Sequence, residues 1–139
     1  MMKTKKLSDE LSIGSQLQPD DIPKLATLGF RSIICNRPDD EQANQPSFEQ
    51  INETAKANNL ETRYIPVAPG QLGKDDAENF DAALRDLPNP TFAYCRTGFR
   101  SEKLWSLNQS VSNIVSTPFS ILKAVSDGLS RVLHQLIQK

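Results

Sequence analysis

The sequence predicts an α/β fold, a mainly parallel sheet flanked by helices. Three observations predict it. Short apolar or β-branched runs alternate with runs of helical period, the pattern of successive βαβ units. A length of 139 residues suits one domain, 1–139, around a single core. The apolar run Thr91-Phe92-Ala93-Tyr94 passes through Cys95-Arg96-Thr97-Gly98-Phe99-Arg100 into a helix-like run opening with Ser101, a strand-to-helix turn of the kind α/β sheets use for ligands.

The elements follow in order. Leu11-Ser12-Ile13 alternates like a short strand. Gln18-Pro19-Asp20-Asp21 reads as a helix start with acidic residues in its first turn, and Pro23 requires that helix to begin near Asp20. Ile22, Leu25, Ala26 and Leu28 give its apolar face, and Gly29 stops it. Phe30 to Cys35 is a dense apolar run, a buried strand. Asn36-Arg37-Pro38-Asp39-Asp40 ends it and opens a polar loop to Pro46. Ser47, with Gln50 three residues on, forms a capping box for a helix reaching about Asn58.

Thr62 to Val67 is the next strand, and Ala68 to Gly73 a loop with two glycines. Asp75 or Asp76 starts a helix with Phe80, Ala83, Leu84 and Leu87 on one face, broken by Pro88-Asn89-Pro90. The strand at Thr91, the cysteine loop and a further helix complete the unit. Right-handed crossovers put the loops beginning at Asn36, Ala68 and Cys95 on one sheet edge. Residues 108–139 read as helical pieces packed on the domain, with the single histidine, His134, in a solvated position.

Bulk properties narrow the function. Charged residues make up 24% and the net charge is −1, so nothing points to nucleic acid. The basic start leads to no apolar segment, and no run approaches a membrane span, so a cytoplasmic protein is expected. Two cysteines, Cys35 and Cys95, are too few for a disulfide framework. With one histidine and no clustered ligands, neither a metal nor a cofactor is expected.

The cysteine loop carries the chemistry. Backbone N–H groups of a strand-to-helix turn converge, and the helix dipole adds to them. Such surroundings, with Arg96 and Arg100 alongside, favour a nucleophilic thiolate at Cys95 and an oxyanion site around it. Arg100 suits the role of anion-binding fork. Arg96 either guides an anionic substrate or points to water. Thr97, Gly98 and Phe99 supply the cradle, and Ser101 either donates to the sulfur or simply caps the helix. Arg37 and Asp39 either brace the loop or meet substrate, Asp39 being a candidate proton donor. Cys35 is expected in the core, with a resolving role for an oxidised Cys95 as the alternative.

An ordered series of motifs carries a family resemblance: Ser15-Gln16, Gly29-Phe30, Asn36-Arg37-Pro38-Asp39, Gln45-Pro46-Ser47, Tyr64-Ile65-Pro66-Val67, Cys95 to Ser101, and Leu104-Trp105-Ser106-Leu107. The stretch from Leu11 to Leu107 resembles the phosphatase-like domain of the beta-lactamase-hydrolase-like protein family. The resemblance implies a fold like that of protein tyrosine and dual-specificity phosphatases. It also implies sulfur handling, because some relatives fuse this domain to a persulfide-oxidising domain, and such an enzyme is then a candidate partner. Phosphatases of that class carry Cys, five residues, then Arg. Here Arg100 follows Cys95 after four, Pro69 stands about where their acidic proton donor would, and Tyr94 replaces the usual His. The run Cys95 to Ser101 also resembles the active loop of single-domain rhodaneses.

These residues lead to the expectation of a thiolate enzyme on a small anionic or sulfane-sulfur substrate. Sulfur transfer through a Cys95 persulfide comes first, because sulfite or thiolate leaves without a proton. Phosphate monoester hydrolysis through a cysteinyl-phosphate is the alternative, and a non-enzymatic anion- or persulfide-binding module is the third reading.

Overall fold

The computed structural model describes residues 2–115, with side chains through Gln109. The chain divides into two units, Met1–Asn108 and Gln109–Lys139, and the sheet and cysteine loop belong to the first. The expected packing of the helical tail, and His134 with it, falls largely on residues 116–139, outside the described residues.

Five strands form one sheet: β1 (Thr4–Lys6), β2 (Leu11–Gly14), β3 (Ser32–Cys35), β4 (Glu61–Tyr64) and β5 (Thr91–Tyr94), in the order β1-β2-β5-β3-β4. Strands β2, β5, β3 and β4 run parallel, and β1 pairs antiparallel with β2 at the edge. The basic start had no strand signal, because all three β1 residues are exposed and show no apolar alternation. It is held by its partner: Thr4 faces Gly14 and Lys6 faces Ser12.

The helices are α1 (Ile22–Thr27), α2 (Phe48–Ala57), α3 (Lys74–Asp86) and α4 (Phe99–Val115). A 3₁₀ turn over Pro19–Asp21 precedes α1, so Pro23 sits in the first turn, where its missing N–H costs nothing. Gly29 ends α1 at φ +97, a conformation that an L side chain resists. The capping box of α2 is present: Ser47 Oγ accepts from Gln50 N at 3.2 Å, and Ser47 N donates to Gln50 Oε1 at 2.9 Å. In α3, Gly73 N donates to Asp76 Oδ2 at 2.9 Å, which makes Asp76 a helix-start acid.

Strand alternation splits the core into two layers. Ile33, Cys35, Phe92 and Tyr94 pack with Ile22, Leu25, Ile51 and Ala55 of α1 and α2. Ile34 and Ala93 point the other way, to Ala77, Phe80 and Ala83 of α3 and Leu104 of α4. Each wholly buried Ile, Leu or Phe contributes about 1.5–3 kcal/mol, so the sheet is fixed from both faces.

That rigidity aligns the carboxyl ends of four strands. Gly14 and Cys35 both lie opposite Tyr94, and Tyr64 lies opposite Cys35. The chain leaves the central strand β5 at Cys95, in the crevice where parallel sheets place ligands.

Candidate active site

Cys95 is 1% exposed, as little as a core residue, yet it belongs to neither apolar cluster. Its sulfur accepts the Gly98 N–H at 3.1 Å. Gly98 has φ +97, so the turn needs glycine for its conformation, while a Cβ there would meet Gly14 O and Ile13 Cδ1 in ordinary contact at 3.4 Å. The loop closes over the thiol and α4 starts at Phe99.

The cradle differs from the sequence expectation in its details. Of the loop's backbone donors, only Gly98 N–H reaches the sulfur. Among the described residues no acceptor takes the backbone N–H of Arg96, Thr97, Arg100 or Ser101, so four donors at the start of α4 remain for an anion. Ser101 does not donate to the sulfur. Its Oγ donates to Asn36 Oδ1 at 2.8 Å, in a site fully closed to solvent. Thr97 Oγ1 accepts Phe99 N–H at 3.4 Å, and the Phe99 ring is 67% exposed.

Arg100 is the charged centre of the site. Its Nη1 donates to Glu41 Oε2 at 2.7 Å and to Val67 O at 2.8 Å, and its Nη2 donates to Glu41 Oε1 at 3.0 Å. This occupies one edge of the guanidinium fork. The Nε–H and the second Nη2–H form the other edge, which no acceptor takes among the described residues, and Cys95 adds to the electrostatic surroundings that favour the charged guanidinium. Glu41 thereby fixes the plane of the fork.

Glu41 also accepts from Arg37 Nε at 2.9 Å. Arg37 is 2% exposed, and it further donates to Gln16 Oε1 at 2.9 Å and Gln42 Oε1 at 3.0 Å. It is a brace, which resolves the sequence alternative for this residue. The bond from Arg100 is the largest cause holding the Glu41 carboxyl below the usual carboxylate range; burial opposes it and the bond from Arg37 adds to it. The same carboxylate raises Arg100 further into its charged form.

Asp39 has a local structural partner. Its Oδ1 accepts Phe48 N–H at 2.8 Å, an exposed cap at the start of α2, and its own N–H donates to Tyr64 Oη at 2.9 Å. Cys35 lies in the core, as expected first for it. It packs in the cluster holding Tyr94 and donates to Arg37 O at 3.3 Å, and burial pushes its thiol up to about 11. No bond joins it to Cys95, and both cysteines are free. Among the described residues no group of His, Cys, Asp and Glu could hold a metal ion.

Sequence reasoning missed Glu41, Asn36 and Val67. Glu41 lies in a polar loop with no periodicity, and Val67 takes part through its carbonyl alone. Asn36 donates from Nδ2 to Ile65 O at 3.0 Å while accepting from Ser101. The Arg37-to-Glu41 spacing of four was the one signal available.

Residues 3–112 match the family described as the phosphatase-like domain of the beta-lactamase hydrolase-like protein. The chain belongs to this family. Within the beta-lactamase hydrolase-like family, the protein of that name from Agrobacterium fabrum is 32% identical over 110 residues, 79% of this chain. The chain spans about a quarter of that relative, 26% of its length. A crystal structure of a candidate phosphatase from Neisseria meningitidis is 35% identical with a TM-score of 0.74, covering 81% of this chain and 78% of that one. The core catalytic domain of the S. cerevisiae PP-IP phosphatase SIW14 shares the fold at 14% identity and a TM-score of 0.55, over 68% of this chain and 56% of that one. The fold is that of the tyrosine and dual-specificity phosphatases, as the family resemblance implied. The comparisons give the expected ranking of chemistries no support on the sulfur side and favour the phosphatase alternative. No helix among the described residues is long and apolar enough to cross a membrane.

Proposed function

We propose that this chain is a cysteine-based phosphatase acting on small phosphate compounds. One observation carries the reading: the Arg100 fork is held on one edge by Glu41 and Val67 O, keeps its other edge unspent, and lies close enough to Cys95 to interact with it electrostatically. The backbone N–H groups of Arg96, Thr97, Arg100 and Ser101, without an acceptor among the described residues, lie in the same loop and first helical turn. Membership in a phosphatase-like family and likeness to the Neisseria protein support it.

The Cys95 thiolate attacks phosphorus and the bond to the leaving oxygen breaks, giving a cysteinyl-phosphate. Arg100 and the loop amides hold the three equatorial oxygens as charge shifts onto them. Water then attacks phosphorus, phosphate leaves and the thiolate is restored. The leaving oxygen finds no ready acid. Glu41 stays ionised between two arginines, Asp39 caps a helix, and position 69 is proline. General-acid help is worth about 10²–10⁴-fold, so substrates with acidic leaving groups react fastest here.

That missing acid is also the specific observation favouring the second reading, sulfur transfer, in which sulfite departs unprotonated. One assay separates them. The protein is incubated with p-nitrophenyl phosphate and, in parallel, with thiosulfate and cyanide. Nitrophenol release that vanishes in Cys95→Ser and falls at least about 100-fold in Arg100→Lys supports the phosphatase. Thiocyanate release dependent on Cys95, with no phosphate turnover, refutes it.

A further inference from the structure

A pocket of about 520 Å³ borders the cysteine loop, and the residue next to the nucleophile, Arg96, forms part of its wall. Its volume falls in the range of small-molecule sites. Its chemistry is one-sided. Arg37 and Arg96 both line it, no carboxylate does, and Gln18, Gln42 and Asn44 add carboxamides. Its only apolar lining residues are Ala43 and Pro46, with no aromatic ring.

The two arginines have different duties. Arg37 is buried and spends its donors on Glu41, Gln16 and Gln42. Because a guanidinium accepts nothing, Gln42 must turn its carbonyl oxygen inward to Arg37, which leaves its N–H₂ end for a ligand. Arg96 is exposed, and its guanidinium has no partner among the described residues. Its backbone is nevertheless anchored, since Arg96 O accepts Gln16 N–H at 3.2 Å. The pocket therefore offers one unspent fork and a set of amide donors, fixed beside the loop that would hold a phosphoryl group.

We infer that this pocket binds a second anionic group of the substrate, so that the preferred substrates are small, polar phosphate compounds with a further phosphate or carboxylate rather than aryl phosphates. The inference rests on the phosphatase reading for the position of the first phosphate. A flat aromatic body would find no ring and only Ala43 and Pro46 as apolar wall, whereas a second anion meets Arg96 and the Gln42 amide. A polyhydroxylated body between the two anions would meet the remaining carboxamides.

Calorimetric titration tests this without turnover. Fructose 1,6-bisphosphate and fructose 6-phosphate are titrated into the full chain carrying Cys95→Ser, and into the same protein with Arg96→Ala added. The bisphosphate should bind at least about tenfold tighter, the worth of one charge-assisted contact, and Arg96→Ala should remove most of that advantage. Arg96→Lys should restore part of it. Equal affinities for the two sugars, or an advantage untouched by Arg96→Ala, would overturn the inference. The native protein is assayed in parallel for phosphate release from p-nitrophenyl phosphate and from fructose 1,6-bisphosphate itself. An Arg96-dependent preference without phosphate turnover would uphold the pocket and sink the phosphatase reading, so the two failures are told apart.

Discussion

Ser101 donates its hydroxyl hydrogen to Asn36 Oδ1 at 2.8 Å, and both residues are completely buried. The bond joins the first turn of α4 to the loop that leaves β3, so it sets the angle at which the helix presents its amides. Ser101→Ala strands a buried acceptor on Asn36. A loss of about 1–3 kcal/mol is expected, read from the urea midpoint with an unchanged slope.

Among the described residues Glu41 is the only acid that pairs with both Arg37 and Arg100. Glu41→Ala leaves Arg37 and Arg100 buried without a counter-charge, at a cost of about 3 kcal/mol in unfolding free energy. Glu41→Gln keeps the shape but lets the Arg100 fork swing. Its kcat/KM on an aryl phosphate should fall about 10–100-fold with a smaller change in stability. Full activity in Glu41→Gln would show that the fork is aimed by something else.

Acid should unmake the same brace. The folded protein holds Glu41 below its ordinary titration range, so its contribution to stability is complete above that range. It is lost as pH falls through the lowered folded value. Thermal melts from pH 7 downward should therefore show a decline in acid that is shallower in Glu41→Gln than in the native protein.

At Gly98 a side chain is resisted by φ +97. Gly98→Ala should cost about 1–2 kcal/mol from the left-handed conformation alone. Shifting the amide that bonds the Cys95 sulfur should lower kcat more than it raises KM. Kinetics with the melting curve of the same sample check both parts.

Cys35 should remain a bystander. Its thiol, pushed up to about 11 by burial, stays protonated at pH 8. Iodoacetamide should leave it unmodified in the native protein and label it in urea, as peptide mapping would show. Peroxide should produce no disulfide between Cys35 and Cys95.

The layers of this fold were legible because they depend on local patterns. The Ser47–Gln50 box, the Gly29 stop and the apolar face of α3 each follow from spacing and from the demands of backbone groups at helix ends. The cysteine loop was legible for the same reason, since a Cys followed by glycine and arginine between a strand and a helix has few geometries open to it. Strand β1 was not, because an exposed edge strand has no buried face to impose alternation. The partners of Asp39 and Ser101 were not legible, because a short polar side chain bonds whatever the fold brings within about 3 Å.

From the sequence alone came the α/β class, the family resemblance, and Cys95 with Arg100 as the centre of interest. Tertiary structure decided that Glu41, 59 residues away, aims Arg100, that Arg37 is a brace, and that Arg96 alone keeps a free guanidinium in a polar pocket. The physical reason is the reach of the forces involved. Helix caps and turn conformations are settled by neighbours a few residues apart, whereas a guanidinium chooses its carboxylate by distance in space, which exists only once the strands have aligned.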